Sequence, residues 1–250
     1  MKKQILILAT AFMTVAFISC SKESIETQQT NKSNELAEAP GSINQGQGNI
    51  YIDPLIIGLQ GRFEFNGSLK DKTGKLVDAV PSVSGATSYT TDRKGDANKA
   101  IQFTGAYGVN ILSVPYTTKM SVAAWVKYTS GIVPTIYFVQ PELIGPQLGQ
   151  SFNKYFGGIS TPATTSVLSG VMDNKWHHLV ATFDGTLLRF YVDKQLAGSV
   201  LNKSPLGNGL TKYRIAFNPF SNAFWQGSMD DLCFYNRTLS ATDVQKLYNL

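Results

Sequence analysis

The chain has 250 residues, of which 43% are hydrophobic and only 16% charged. This length suits one β-sandwich of ordinary size plus a tail and is too short for two domains of that size. The low charge and the 14 Phe and 11 Tyr exclude a largely disordered chain. The net charge is +5 and the sequence has no Lys/Arg cluster, so the composition gives no support for nucleic-acid binding.

The first 19 residues are typical of a cleaved secretory signal peptide. Lys2 and Lys3 form a positive start, and an almost continuous apolar stretch runs from Ile5 to Ile18. This stretch is shorter than the about 20 residues that a transmembrane helix needs. We therefore expect residues 1–19 to be removed, which leaves 20 basic and 17 acidic residues in the mature chain.

A cysteine follows directly after this segment. The sequence Phe17-Ile18-Ser19-Cys20 resembles the lipobox of bacterial lipoproteins, in which the cysteine thiol takes a diacylglyceryl group and the new amine is acylated. Two or more acyl chains hold a protein stably on a membrane. The resemblance implies an extracytoplasmic protein that is anchored only through Cys20, on the outer-membrane, periplasmic or cell-surface side. An ordinary signal peptide with a chance cysteine is the alternative.

The next segment, residues 20–49, is predicted to be a flexible linker. It has no aromatic residue and is rich in Ser, Thr, Asn, Gln, Glu and Gly. Such a segment cannot bury enough apolar surface to offset the entropy of ordering it. A single folded domain is expected over residues 50–250. Its one cysteine, Cys233, lies in an apolar, strand-like run, which predicts a buried and unreactive thiol.

Many short strands separated by Gly, Asn, Asp and Pro are predicted in this domain. Asp184-Gly185 predicts a hairpin turn, and on the strand after it Leu188, Phe190 and Val192 share one face, which we assign to the core. The predicted strands are 61–65, 100–103, 122–128, 178–183, 187–192, 214–217 and 229–235. This pattern indicates an all-β sandwich or jelly roll.

The last residues are predicted to form a short helix. Ser240 and Asp243 have the spacing of a capping box. Val244, Leu247 and Tyr248 then fall on one face of the helix. We expect this helix to pack on the edge of the sandwich.

Four segments of the domain occur in the order found in one known family. They are residues 65–74, 91–103, 175–193 and 224–240. Together they resemble the bacterial laminin-G-like domains of the concanavalin-A-like lectin/glucanase superfamily, and the resemblance implies a two-sheet antiparallel jelly roll. Within these segments, Trp176 at a strand start is predicted to be a large core anchor. Gly227 is predicted to allow a close approach of two backbones.

The sequence predicts a binding protein rather than an enzyme. Retaining glycosidases need two carboxylates about 5–5.5 Å apart, but the only glutamates of the domain, Glu64 and Glu142, are isolated. Asp230 and Asp231 are adjacent, so on a regular strand they would point to opposite faces and could not form a catalytic pair. The sequence shows no zinc-ligand spacing, nucleophile elbow or phosphate-binding glycine loop. A glycosidase whose site is assembled from scattered residues is the least favoured alternative.

Aromatic residues in Gly- or Asn-rich surroundings are predicted to be exposed in loops, where they can stack on sugar faces. They are Tyr107, Tyr155, Phe156, Phe220 and Trp225. The stretch 140–165 is rich in Gly and Pro and poorly patterned, which is typical of a binding loop. The alternative for each of these aromatics is packing in the core or at its rim, because only convergent groups make a pocket.

Three aspartates are candidates for a structural calcium site. Asp230 and Asp231 resemble the aspartate that helps to hold calcium in several members of the superfamily, and Asp71, in the loop 66–74, could contribute. The alternative is that these acids cap turns by accepting hydrogen bonds from backbone amides.

The leading hypothesis is a lipid-anchored, non-catalytic protein of the cell envelope whose partner is a glycan. It depends on the laminin-G-like segments and on the lack of a carboxylate pair. The rival hypothesis is a protein-interaction or structural module of a cell-envelope assembly, whose partner is a cell-envelope protein. A broad apolar patch would favour that rival.

Overall fold

The computed structural model describes residues 53–130, 135–170, 172–218 and 223–250. The signal peptide, Cys20 and the linker predicted over residues 1–49 lie outside the described residues, and so does Phe220. The described part of the chain contains 17 strands and one helix, α1 (Ala241–Tyr248). No helix in these ranges is both long and apolar enough to cross a membrane.

The strands are numbered in chain order. They are β1 (Leu59–Phe63), β2 (Val80–Pro81), β3 (Tyr89–Thr90), β4 (Ala100–Thr104), β5 (Val109–Tyr116), β6 (Met120–Ser130), β7 (Thr135–Pro141), β8 (Gly145–Ser151), β9 (Lys154–Ser160), β10 (Thr165–Ser169), β11 (Trp176–Phe183), β12 (Leu187–Val192), β13 (Gln195–Leu201), β14 (Gly209–Ile215), β15 (Phe217–Asn218), β16 (Ala223–Phe224) and β17 (Gln226–Tyr235).

Two antiparallel sheets enclose one hydrophobic core. Sheet A has the order β13-β12-β11-β6-β17-β4-β3, with β1 also paired to β17, and sheet B has the order β10-β9-β8-β7-β14-β5-β2. Side chains from the two sheets meet between them: the rings of Tyr213 on β14 and Phe234 on β17 lie 4.6 Å apart. The predicted all-β, two-sheet antiparallel jelly-roll sandwich with a short C-terminal helix is confirmed.

Alternation along the strands gives sheet A a core face and an outer face. On β6, Val122, Ala124 and Val126 point into the core. Trp125 and Lys127 occupy the intervening positions and therefore point to the outer face. The same alternation on the neighbouring strands decides which side chains can form a surface site.

The helix α1 forms as the sequence predicts, but it packs on this outer face against β6, β11, β12 and β17 and not on the edge of the sandwich, so its predicted position was wrong. The hydroxyl of Ser240 accepts a hydrogen bond from the Asp243 backbone N–H at 3.1 Å, and the Asp243 carboxylate accepts one from the Ser240 backbone N–H at 2.9 Å, which confirms the capping box. Val244 and Leu247 pack against the sheet in a cluster that includes Cys233. Burial raises the pKa of the Cys233 thiol to about 12, which agrees with the predicted unreactive cysteine.

The stretch 140–165 is not a binding loop, and this prediction was wrong. It contains β8, β9 and the end of β7. Its glycines are required by close packing rather than by flexibility. A Cβ at Gly157 would lie 2.2 Å from the ring of Phe190, and a Cβ at Gly149 would lie 2.4 Å from the ring of Phe156. Glycine within a strand marks such close approaches.

The close approach predicted at Gly227 is confirmed. A Cβ at this position would lie 2.6 Å from the carbonyl oxygen of Lys127 on the neighbouring strand and 2.2 Å from the ring of Trp225. Both distances are shorter than van der Waals contact, so that only glycine allows β17 to lie against β6 here.

A β-bulge interrupts β17 at its centre. Before the bulge, Gln226–Met229 pairs with β4, and after it the strand pairs with β1 along the same edge. The register against β6 shifts between Asp230 and Cys233, and Asp231 has a positive φ of 46°. A bulge places an extra residue on one strand and re-aims the side chains around it.

Candidate functional site

The aromatic residues predicted to be exposed in loops are buried. Tyr107, Tyr155 and Trp225 belong to the hydrophobic core and are at most 3% exposed. Phe156 is 4% exposed and packs its ring against Tyr137 on the outer face of sheet B, with 5.3 Å between the ring centroids. The prediction of exposure was wrong for these four residues because their Gly- and Asn-rich neighbours lie in strands and tight turns.

Asp71 caps a turn. Its carboxylate accepts hydrogen bonds from the backbone amides of Arg62 at 2.8 Å and Leu76 at 2.9 Å, and from the hydroxyl of Thr73 at 2.6 Å. Burial alone would raise the pKa of Asp71, but these hydrogen bonds lower it below its usual value. The geometry matches the turn-capping alternative.

Asp230 and Asp231 converge on one arginine. Nη1 of Arg93 lies 2.5 Å from Oδ2 of Asp230, and Nη2 lies 2.9 Å from Oδ2 of Asp231. Asp231 also meets Nη2 of Arg62 at 3.1 Å. The expectation that the two carboxylates point to opposite faces was wrong, because the bulge at Asp231 breaks the alternation of β17.

These residues do not fit a calcium shell in the arrangement described. Calcium requires six to eight oxygen ligands, whereas the oxygens of Asp230 and Asp231 face guanidinium groups and those of Asp71 face backbone amides and a hydroxyl. Within the described ranges, no group of three or more His, Cys, Asp or Glu is arranged to hold a metal ion.

Arg93 connects the loop between β3 and β4 to the outer face of sheet A through ion pairs and a contact with an aromatic ring. Its side chain is only 9% exposed, and its guanidinium carbon lies 4.9 Å from the centre of the Trp125 ring. Burial, and then the neighbouring charge of Asp231, raise the pKa of Asp230 to about 7 in spite of the opposing charge of Arg93. The loop is therefore held by a nearly buried ion network.

A surface pocket of about 690 Å³ opens beside this loop. Its floor is a row of four outward-facing side chains, each paired with the next across adjacent strands of sheet A. In order across the sheet they are Trp176 on β11, Lys127 on β6, Ser228 on β17 and Gln102 on β4. The other lining residues come from the β3–β4 loop, the end of β6 and the turn before β11. They are Thr90, Thr91, Asp92, Arg93, Gly95, Tyr128, Thr129 and Asn174.

Trp176 is not the core anchor that the sequence predicts. Leu179 and Ala181, at odd positions of β11, point into the core, so Trp176 and His178, at even positions, point to the outer face. The Trp176 side chain is half-buried and forms part of the pocket. The alternation on β11 was the signal that could have placed it there.

Sequence reasoning also missed the polar residues of this pocket. The Ser228 hydroxyl donates a hydrogen bond to Oε1 of Gln102 at 3.0 Å, and Nε2 of Gln102 donates one to the carbonyl oxygen of Gly227 at 3.2 Å. These bonds fix the Gln102 amide on the floor of the pocket. The amide of Asn174 and the ammonium group of Lys127 add further polar groups. The arrangement offers an aromatic ring beside fixed hydrogen-bonding groups.

The two adjacent histidines, His177 and His178, point to opposite faces of sheet A because side chains alternate along β11. His177 lies between Asp193 at 2.7 Å and Asp173 at 2.9 Å, and hydrogen bonding to Asp193 raises its pKa. His178 is buried on the outer face, with its ring 5.1 Å from that of Trp125. Burial lowers the pKa of His178 to about 4. Ion pairing accounts for the environment of His177, whereas His178 packs against aromatic rings and its buried Nδ1 has no hydrogen-bond partner among the described residues.

Sequence comparison gives one family match. A family model described as the concanavalin A-like lectin/glucanases superfamily matches residues 98–245. This range holds all four strands that form the floor of the pocket. None of the curated proteins matches the chain.

Several solved structures share the fold. Domain 4 of AbnA, an extracellular GH43 arabinanase from Geobacillus stearothermophilus solved in complex with arabinotriose, has a TM-score of 0.65 and 18% identity, and the match covers 76% of this chain and 98% of that one. The binding domain of Paraclostridial Mosquitocidal Protein 1 has a TM-score of 0.61 and 13% identity, over 77% of this chain and 52% of that one.

A structure of botulinum neurotoxin type C, whose cell entry depends on interaction with two ganglioside molecules, has a TM-score of 0.59 and 13% identity. The match covers 77% of this chain and 51% of that chain. This chain therefore spans about half the length of the two toxin chains. At these identities the likeness shows the fold alone.

Proposed function

Because this chain belongs to the concanavalin A-like lectin/glucanases superfamily, we propose that it is a non-catalytic carbohydrate-binding protein whose ligand occupies the pocket beside Trp176. The observation that carries the proposal is the row of outward-facing side chains from Trp176 to Gln102 across four strands. Two proteins of the same fold interact with arabinotriose and with gangliosides, which are glycolipids with an oligosaccharide head group, and these ligands support a sugar as the ligand class.

The chemistry of the pocket suits a sugar. A pyranose or furanose ring has apolar C–H faces that pack on an aromatic ring, and hydroxyl groups that need donors and acceptors. Trp176 supplies the aromatic surface, the amide of Asn174 supplies both donors and acceptors, and Oε1 of Gln102 supplies a further acceptor, since Nε2 of Gln102 already donates to two backbone carbonyls. Gln102 is already fixed by hydrogen bonds, which lowers the entropy cost of binding.

We expect Trp176→Ala to lower glycan affinity by at least about tenfold, because tryptophan in a pocket commonly contributes more than about 1.4 kcal/mol when truncated. The measurement is a glycan-array screen of the purified protein, followed by titration calorimetry with the glycan class that binds. Phe152→Ala is the matched control, since Phe152 is an aromatic residue that is 77% exposed and does not line the pocket.

Two outcomes would contradict this proposal. If Trp176→Ala binds the glycan as tightly as the wild type, the ligand occupies another surface. If the wild type binds no glycan at millimolar concentration, the protein-interaction module becomes the better function. That alternative is favoured by three exposed leucines on or beside sheet B: Leu112, Leu143 and Leu210, which are 38%, 60% and 60% exposed.

Asp230 and Asp231 are convergent carboxylates beside the pocket, and they are therefore the first pair to test as the acids of a glycosidase. Asp230 is 4% exposed and both carboxylates are bonded to Arg93, so neither is free to reach a glycosidic oxygen. We therefore propose a non-catalytic role. The same glycans that bind are to be incubated with the protein, and release of reducing ends that is lost in Asp230→Asn would instead establish an enzyme.

The membrane anchor is a separate part of the proposal and rests on Phe17-Ile18-Ser19-Cys20. We expect the protein expressed with this segment to enter the detergent phase on phase separation, because acyl chains on Cys20 hold it there. Cys20→Ser is expected to move it to the aqueous phase. The wild type is expected to incorporate labelled palmitate and Cys20→Ser is not. This result distinguishes acylation from non-covalent association with the detergent. Equal partition of both proteins would exclude the anchor.

A further inference from the structure

We propose that the glycan held in this pocket is acidic, and that Lys127 contacts a carboxylate or sulfate group on the sugar. This inference rests on the proposed carbohydrate-binding function and deepens it by naming the ligand class. Its starting observation is that Lys127 stands on the floor of the pocket between Trp176 and Ser228 without an acidic neighbour.

The ammonium group of Lys127 has no counterion in the described part of the chain. Its neighbours across the two adjoining strands are an indole and a hydroxyl, which carry no charge. Lys127 is half-buried and takes part in no ion pair among residues 53–130, 135–170, 172–218 and 223–250. By contrast, Lys212 and Lys175 each pair with a carboxylate at 3.2 Å and 3.5 Å. A half-buried cation without a partner attracts an anion.

None of the other charged residues that line the pocket forms an ion pair with this cation among the described residues. The guanidinium group of Arg93 forms ion pairs with Asp230 and Asp231. Asp92 is the one acidic residue that lines the pocket among those described, and its Oδ1 accepts hydrogen bonds from two backbone amides of its own turn. Asp92 forms no ion pair with Lys127. Among the described residues, Lys127 is therefore the lysine of the pocket that has no ion-pair partner.

The position of Lys127 also defines which part of a sugar it can reach. It lies directly beside Trp176, so that a ring stacked on the indole presents its substituents to the ammonium group. A lysine ammonium is a compact point charge, which suits a carboxylate or a sulfate equally well. The expected ligands are therefore glycans that contain uronic acids, sialic acids or sulfated sugars, rather than neutral glucans or arabinans.

Matched polysaccharides test this inference because they differ only in the charged group. The carboxylate pair is polygalacturonate and its methyl ester, and the sulfate pair is chondroitin sulfate and its desulfated chain. We expect the protein to bind the acidic member of at least one pair about tenfold more tightly than the neutral or less charged member, since a charge-assisted hydrogen bond is lost in the second. Which pair discriminates identifies the carboxylate or the sulfate as the ligand group.

Lys127→Gln is expected to remove this preference. The affinity for the acidic chain should fall about tenfold, and the dependence of that affinity on salt concentration should weaken. Affinity for neutral glycans should change less than about twofold, because Gln still donates hydrogen bonds. The matched control is Lys119→Gln, which removes an exposed lysine next to the opposite end of the same strand, roughly 25 Å away.

The outcomes separate this inference from the function on which it rests. If neutral glycans bind as tightly as acidic ones and Trp176→Ala abolishes both, carbohydrate binding stands and the acidic ligand is wrong. If Lys127→Gln keeps the preference for acidic chains, Lys127 is not the contact and the inference also fails. If no glycan of either kind binds, the proposed function and this inference fail together.

Discussion

Replacing Arg93 by methionine is expected to destabilise the domain by about 3–5 kcal/mol. Methionine keeps much of the apolar contact with Trp125 but leaves the carboxylates of Asp230 and Asp231 without their main counterion. Asp230 is only 4% exposed, so water cannot replace the guanidinium group. The free energy of unfolding in urea at about pH 7.5 measures the effect.

Arg189→Met is the matched control for this prediction. Arg189 pairs with Asp184 at 2.8 Å, but both side chains are about one-third exposed, so the pair is expected to contribute at most about 1 kcal/mol. The loss in Arg93→Met should shrink at about pH 5, because the unpaired carboxylate of Asp230 then takes a proton. If Arg93→Met lowers the free energy of unfolding by less than about 1 kcal/mol at both pH values, the ion pairs of Arg93 do not stabilise the domain as predicted.

The second large effect is acid sensitivity through His178. Burial lowers the pKa of His178 to about 4, from a usual value of 6.5. The unfolded chain therefore binds a proton at a pH where the folded chain does not, and stability that is complete above about pH 6.5 is lost as the pH falls towards 4. With about 1.4 kcal/mol per pKa unit, we expect a loss of about 2 to 3 kcal/mol between about pH 7.5 and pH 4.5.

His178→Phe isolates this loss. Phenylalanine keeps an aromatic ring beside Trp125 and Tyr248 and cannot titrate. The wild-type curve alone is not sufficient, because Asp230 has a raised pKa and acts with the opposite sign, losing stability as the pH rises through the same range. The measured quantity is therefore the difference in unfolding free energy between wild type and variant at each pH. A difference that is constant with pH would contradict the prediction.

His177 affects stability only in the upper part of this pH range. Its pKa is raised by Asp193 and Asp173, so the stability it contributes is fully present below about pH 6.5 and is lost as the pH rises through its folded-state pKa. The two adjacent histidines thus act on stability in separate pH ranges, and a comparison restricted to pH values below 6.5 reports on His178.

The fold could be predicted from the sequence because strand alternation and turn residues are local signals. The hairpin at Asp184-Gly185 joins β11 to β12, and the capping box of Ser240 and Asp243 begins α1. The order of the four motifs then specified the superfamily, which the family match confirms. These features depend on residues close to one another in the chain.

The candidate site could not be predicted in the same way. Whether Trp176 points inward depends on whether the odd-numbered or the even-numbered side chains of β11 face the core. Choosing the wrong set moves every side chain of the strand to the opposite face. The convergence of Asp230 and Asp231 depends on a bulge that forms where β17 changes partners from β4 to β1, which is a property of three strands far apart in sequence. Packing between distant strands also made Gly157 part of a strand.

The placement of the last strand has a consequence for how the chain folds. β17 lies in the middle of sheet A, where it pairs with β6 on one edge and with β4 and β1 on the other. The two parts of the sheet are therefore joined only when β17 is in place, and pairing Leu59 with Tyr235 closes a loop that spans nearly the whole domain. Such non-local pairing makes folding slow.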